Sequence, residues 1–311
     1  MPKVQWFPGH MARTRRLLGE SIAVVDVVIE LRDARIPMSS ENPELRKLTL
    51  KGGGKPVLVL LNKASLADAD ETAKWIRYIE KDDGRKVGCL ACDCITGEGF
   101  GRIVPMIRSL IGEKISRDDD KGMKRTYRAM AVGIPNVGKS SFSNRLAGKK
   151  ITKVENRPGV TMKRQWVTTK LGLDLLDTPG VLWPNIEDPS AGLKLAVTGA
   201  VKDDVFDYIL AARELALILA RDYPARLEDR FKVSPNEADG LNGEKLLLLC
   251  GRKRGMLILG GEVDEERAAK TLLTEFRTGK LGRITLDRCP DGKNDENQET
   301  SADGEENETA D

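Results

Sequence analysis

Six short apolar runs punctuate the first part of the chain, at residues 24–31, 57–61, 87–94, 127–133, 165–170 and 173–176. Several, such as Val57-Leu58-Val59-Leu60-Leu61, are apolar at every position rather than at alternate ones, the pattern of strands buried on both faces. Between them, residues 72–81, 99–111 and 139–147 repeat their apolar positions with helical spacing. Strands alternating with helices predict an α/β fold with a parallel sheet, in which ligands bind beyond the carboxyl ends of the strands. After Gly180 the pattern changes: segments 205–222, 243–250 and 264–277 are helical in period and strand signals become few. The reading is therefore a first domain over 1–189, a smaller all-helical domain over 190–288 and a tail over 289–311. The tail lacks apolar periodicity and is expected to be disordered. The polar stretch 113–126, with Asp118-Asp119-Asp120, reads as a linker loop inside the first domain.

The candidate chemistry falls at the ends of the predicted strands. Gly133-Ile134-Pro135-Asn136-Val137-Gly138-Lys139-Ser140 follows one strand and opens a helix, the context that makes a P-loop match specific. A glycine-rich turn there lets several backbone N–H groups point inward at phosphates. Lys139 supplies charge and Ser140 a hydroxyl for Mg²⁺, while Asn136, Val137, Gly138 and Ser141 complete the expected cradle. Asp177 ends the run at 173–176, placed to hold Mg²⁺ through water, and Gly180 closes the Asp177-Thr178-Pro179-Gly180 turn. Thr161, in Arg157-Pro158-Gly159-Val160-Thr161, is the candidate switch threonine and second Mg²⁺ ligand.

Well before the P-loop, Asn62-Lys63-Ala64-Ser65 is similar to the base-reading loop that ordinarily follows it. The order is thus base reader, phosphate holder, switch: a circular permutation of the usual GTPase. With Trp6-Phe7-Pro8-Gly9-His10-Met11 and Asp33-Ala34-Arg35-Ile36-Pro37, the chain closely resembles the ribosome biogenesis GTPase A family from about Val4 to Leu286. The resemblance implies GTP and GDP as ligands, with Mg²⁺. It also implies that His10 swings in to orient the attacking water, since Val181 occupies the position where many GTPases carry a glutamine. It further makes Asn136 a candidate K⁺ ligand.

Two base-side loops depart from the family pattern. GTPases of this kind usually end the first with Asp, whose carboxylate accepts from guanine N1 and N2; here stands Ser65. An uncharged hydroxyl lowers the expected guanine discrimination by ~1–3 kcal/mol, so Ser65→Asp is expected to raise GTP affinity. The second loop, Asp93-Cys94-Ile95-Thr96-Gly97, is expected to contact the guanine carbonyl oxygen through its backbone N–H. Asp68 and Asp70 lie too far along to replace the missing carboxylate. A zinc reading of Cys89, Cys92 and Cys94 fails on ligand number, since the chain holds a single His.

Charge adds a partner. Nine acidic residues and one lysine follow Arg288, leaving 50 basic and 39 acidic residues ahead of them, so a body of +11 carries a tail of −8. Such a body suits a polyanion. The family resemblance makes that polyanion a precursor of the large ribosomal subunit, its rRNA and proteins, expected to be contacted through the helical domain, with its Arg252-Lys253-Arg254 cluster, and through Arg13, Arg15 and Arg16. No run approaches the ~20 apolar residues of a membrane helix, and an odd count of scattered cysteines argues against a disulfide framework. A cytoplasmic monomer is expected. The alternatives are a nucleotide-gated RNA-binding scaffold with negligible turnover and a mixed-specificity NTPase in RNA metabolism.

Overall fold

The computed structural model describes residues 8–51, 54–81, 84–123, 125–148, 165–169, 172–177, 189–201 and 206–290, with the side chains of 8–14, 51, 165 and 177 outside the description. The first part runs α1 (Pro8–Ala23), β1 (Val27–Asp33), α2 (Pro43–Lys51), β2 (Val57–Asn62), α3 (Ala69–Glu80), β3 (Val87–Ala91), α4 (Ile103–Leu110) and α5 (Gly112–Asp120). It continues through β4 (Tyr127–Gly133), α6 (Lys139–Ala147), β5 (Gln165–Thr168) and β6 (Leu173–Asp177). The strands form one six-stranded sheet in the order β3-β2-β1-β4-β6-β5, parallel except for the antiparallel edge strand β5. The doubly apolar runs are its interior, as an α/β sheet covered on both faces requires.

Alternate residues serve opposite faces. Val27, Ile29 and Leu31 of β1 pack in one core with Ile103 and Ile107 of α4 and Phe142 and Leu146 of α6. Val28 points the other way, into a core with Ile22 of α1, Leu45 of α2 and Trp75 of α3. Strand β1 also buries charge: Arg32 pairs with Glu30 at 2.9 Å and with Glu41 at 3.1 Å. Buried charges of this kind need partners, and β1 finds them within its own strand and the following loop.

Helices α7 (Pro189–Thr198), α8 (Tyr208–Asp222), α9 (Pro224–Phe231), α10 (Pro235–Ala238), α11 (Gly243–Lys253) and α12 (Glu265–Arg277) make up the second part. Their starts are written in the chain: Asp207, Asn242 and Asp264 each cap a helix by accepting from backbone N–H groups. The buried Leu215, Leu219, Leu247, Leu272 and Phe276 knit α8, α11 and α12 together.

The fold departs from the sequence expectation in two places. The linker expected over 113–126 is helical for most of its length, forming α5. Ile111 is buried and Ile115 packs against the same core, and Arg125 ties Asp118 back at 2.7 Å, so the acidic run lies on a helix that is anchored to the sheet. Residues 281–290 bridge the helices to the first domain. They run back along the base-side loops, where Leu286 N–H donates to Arg35 O at 2.7 Å and Ile284 N–H to Leu66 O at 3.0 Å. Asp287 fastens this return: its carboxylate accepts from Met38 N, Ser39 N and Ser39 Oγ at 2.7–2.9 Å and from Lys194 Nζ at 2.9 Å.

Candidate nucleotide site

Strand register brings the loops together. Asp33 ends β1 opposite Asn62 at the end of β2, and Gly133, ending β4, lies beside Leu31. All the described motifs thus emerge on one edge of the sheet, at the carboxyl ends of neighbouring parallel strands.

The phosphate loop has the geometry its glycines demand. A Cβ on Gly133 would sit 2.5 Å from Leu31 O, and one on Gly138 would sit 2.4 Å from Asn62 Nδ2. Gly138 also has φ 104° and Asn136 φ 56°, both in the left-handed region that Gly tolerates best and Asn next best. These turns deliver the chain into α6 with its first N–H groups facing the loop, the arrangement that binds anions at helix N-termini. Lys139, 8% exposed, donates to Gly133 O at 3.1 Å and Ile134 O at 2.8 Å, so its ammonium lies inside the ring of the loop. Ser140 and Ser141 occupy the first turn of α6, and β6, the neighbour of β4, ends on Asp177. A hydroxyl and a carboxylate on adjacent elements are a donor set that suits Mg²⁺. The side chain of Asp177, with Thr161, Gly180 and Val181, lies outside the described residues, as does the side chain of His10, which belongs to α1.

Asn62 is the tie among three loops. Its Nδ2 donates to Val137 O at 2.6 Å and its Oδ1 accepts from Cys94 N at 2.9 Å, joining the base loop to the phosphate loop and to the 93–97 loop. Lys63, in a left-handed turn at φ 62°, places its ammonium 2.9 Å from Asp33 Oδ2. Asp33 also takes Arg35 through Nε at 2.9 Å and Nη2 at 2.8 Å. Burial alone would raise the Asp33 carboxyl, but Arg35 and Lys63 outweigh it and hold it well below the ordinary range. The guanidinium of Arg35 stacks 5.0 Å from the Phe276 ring of α12. In the sequence Asp33-Ala34-Arg35 is only a matching string. Nothing in its spacing shows that it links the base loop to the helices, because its partners lie about 30 and 240 residues further along.

A hydroxyl–carboxylate pair reshapes the rest of the base side. Ser65 Oγ donates to Asp93 Oδ2, while Asp93 Oδ1 accepts from Ile95 N at 2.7 Å and Thr96 N at 3.0 Å. Arg145 of α6 holds the same loop, donating to the carbonyls of Cys94 and Ile95. Asp68 caps α3 and is spent there. Cys89 and Cys94 are buried thiols with raised pKa: burial is the main cause in Cys89, and the hydrogen bond with Cys92, followed by burial, in Cys94. Among the described residues no three His, Cys, Asp or Glu side chains converge on a common point.

Of the basic residues expected at an RNA contact, Arg15 pairs with Glu44 at 3.1 Å and Arg16 with Glu20 at 3.0 Å, while the side chain of Arg13 lies outside the described residues. Arg252, Lys253 and Arg254 are all exposed; Lys253 bridges to Glu237, and Arg254 lies 5.7 Å from the Phe231 ring and donates to Arg230 O. Arg254 is thus partly a structural residue.

A glycine-built phosphate loop at the edge of a mostly parallel sheet, with the base-side loops on the preceding strands, defines a P-loop GTPase domain. Residues 128–230 match the family model described as 50S ribosome-binding GTPase; the match starts at β4 and so leaves the base-side loops outside it. Ribosome biogenesis GTPase A of Bacillus licheniformis is 43% identical over 93% of this chain and 99% of its own, and that of Priestia megaterium 44% identical over 91% and 96%. The GDP-bound structure of TM YlqF superposes with TM-score 0.58 at 26% identity, covering 89% of this chain and 98% of that one. The chain belongs to the ribosome biogenesis GTPase A family.

Proposed function

We propose that this protein is a GTP-hydrolysing switch in late assembly of the large ribosomal subunit, binding precursor rRNA in the GTP state and leaving after hydrolysis. One observation carries the reading: the phosphate loop touches the helical half directly. Asn136 Nδ2 donates to Gly199 O at 2.8 Å, just past α7. Arg277 of α12 in turn holds the carbonyls of Val197 and Ala196 at 2.9 and 2.7 Å. A rearrangement at the γ-phosphate therefore has a short mechanical route from the phosphate loop through the end of α7 to α12. The relatives' names and the +11 body supply the ribosomal partner and its polyanionic chemistry.

In this reading Lys139 and the N–H groups at the start of α6 hold the β- and γ-phosphates, and Ser140, Thr161 and Asp177 would hold Mg²⁺, which would supply positive charge against the phosphates. The Oδ1 of Asn136 would be the atom to ligate a K⁺ ion, with its Nδ2 held by Gly199 O. His10 orients the attacking water once the partner is bound. The test is sedimentation with large subunits under GDP and a non-hydrolysable GTP analogue, alongside phosphate release with and without subunits. Co-sedimentation is expected with the analogue and not with GDP; equal binding under both would refute the switch.

His10→Ala is expected to leave nucleotide affinity unchanged and to remove most of the subunit-stimulated rate, a drop on the order of 10²-fold or more for one positioned acid–base group. A normal stimulated rate in that variant leaves His10 as a docking or packing residue. For the RNA contact, Arg252→Gln with Lys253→Gln is the cleaner pair, because Arg254 has a packing role. Subunit binding is expected to weaken, and its log–log salt slope to flatten by roughly one unit for each phosphate no longer neutralised. Deleting the residues after Arg288 is expected to preserve binding or tighten it slightly. Abolished binding on tail deletion, with no effect of the double neutralisation, would reverse the assigned polarity.

A further inference from the structure

We infer that the guanine-reading function in this chain belongs to a Ser65–Asp93 pair, in which the carboxylate sits one loop away from its usual place and dictates the polarity of the serine. This rests on the reading of Asn62–Ser65 as the base loop and assigns its specificity to a residue outside that loop.

A serine hydroxyl has one proton and two lone pairs, so a free one can donate to adenine N1 as readily as it can accept from guanine N1–H. Ser65 is not free: its proton is given to Asp93 Oδ2. What remains toward the ligand is lone pairs only. Guanine offers N1–H and the N2 amine on its Watson–Crick edge, whereas adenine offers an acceptor at N1 and a bare C–H at position 2. An acceptor-only hydroxyl matches the first and opposes the second.

Three features hold the pair in this polarity. Asp93 is 3% exposed, and although burial raises its carboxyl, the Ser65 hydroxyl and the backbone N–H groups of Thr96, Ile95 and Ser65 outweigh it and keep it ionised. Its other oxygen is pinned by Ile95 N and Thr96 N, which prevents the carboxylate from turning away. The base loop is fixed from behind by Ala64 N to Cys92 O at 3.1 Å and by Arg283, whose guanidinium donates to Ala64 O at 3.1 Å and Ala67 O at 2.7 Å. Serine on the base loop backed by aspartate on its neighbour presents an acceptor where aspartate alone would, with the negative charge set one hydrogen bond deeper.

The pair behaves differently from Ser65 alone under substitution. Considered alone, Ser65→Asp gains a carboxylate and tightens GTP; with Asp93 at hydrogen-bonding distance it sets two carboxylates against each other, so the variant is expected to bind guanine nucleotides more weakly. Transposing the pair, Ser65→Asp with Asp93→Ser, is expected to restore GDP affinity to within a few-fold. Asp93→Asn is the sharpest case. Ile95 N and Thr96 N require the amide oxygen on their side, which turns Nδ2 toward Ser65 and makes the serine accept from it. The Ser65 proton is then released toward the base, and the GDP-to-ADP affinity ratio is expected to fall by ~10–100-fold.

The experiment is competitive binding of GDP, IDP and ADP to the full chain and to Ser65→Ala, Ser65→Asp, Asp93→Asn and the transposed double variant. The ratio of affinities is taken within each variant, so a partly unfolded preparation does not alter it. A lowered ratio in Asp93→Asn and Ser65→Ala, with recovery in the double variant, is the expected result. A weakened GDP affinity in Ser65→Asp with an unchanged GDP-to-ADP ratio in Asp93→Asn overturns the pair while leaving the base loop in place. Unchanged GDP affinity in all four variants puts the base elsewhere and overturns both readings.

Discussion

Lys139→Ala is expected to reduce GDP and GTP affinity by more than about 100-fold, corresponding to two charge-assisted hydrogen bonds of ~1.5–3 kcal/mol each. Lys139 opens α6 and is held inside the phosphate loop by Gly133 O and Ile134 O, so its ammonium is preorganised where the phosphates must lie. Alanine is the better helix former, but it leaves Gly133 O and Ile134 O without their donor, so a modest loss of thermal stability is expected alongside the loss of affinity. Titration calorimetry paired with a melting curve checks both halves of the claim. Nucleotide affinity within threefold of the parent would mean that the phosphates are held by some other cation.

The second large effect is on stability. Asp287→Ala removes the acceptor of Met38 N, Ser39 N and Ser39 Oγ and strands the ammonium of Lys194, all around a carboxylate whose side chain is 4% exposed. Breaking a buried pair from one side costs ~3–5 kcal/mol; because the Lys194 side chain is 20% exposed, the lower end is the expected value. For a chain of this size that corresponds to a fall in Tm of about 4–6 °C. Lys194→Met is expected to cost less, since Asp287 keeps its three other donors. A Tm within 2 °C of the parent in Asp287→Ala would show that the return segment 281–290 is not anchored by this carboxylate.

These two residues differ in how far the chain alone reveals them. Lys139 is legible because a P-loop is local: strand, glycine turn, lysine and helix follow one another, and the backbone can form the loop in only one way. The buried strands are legible for a similar reason, since an unbroken apolar run has no face to offer water. The fold class and the family follow from such local strings, and both are borne out. Asp287 is not legible. It stands in a short segment, Ile284-Thr285-Leu286-Asp287, that shows no sign of its partners, and its donors come from residues about 250 and 90 positions away.

The same division runs through the base-reading site. The sequence places Asn62, Ser65 and Asp93 near the nucleotide as separate contacts, with Ser65 as a weakness. Only the parallel pairing of β2 with β3 sets Ser65 beside Asp93, and a hydroxyl's polarity is decided by what receives its proton. Likewise the acidic run at 118–120 reads as a loop until Ile111 and Ile115 find the core beneath it. The sequence by itself determined the buried strands and the phosphate-loop string, which depend on neighbours within about ten residues. The tertiary structure alone decided which charges and protons face each other, because those energies depend on distance in space and the chain records only distance along itself.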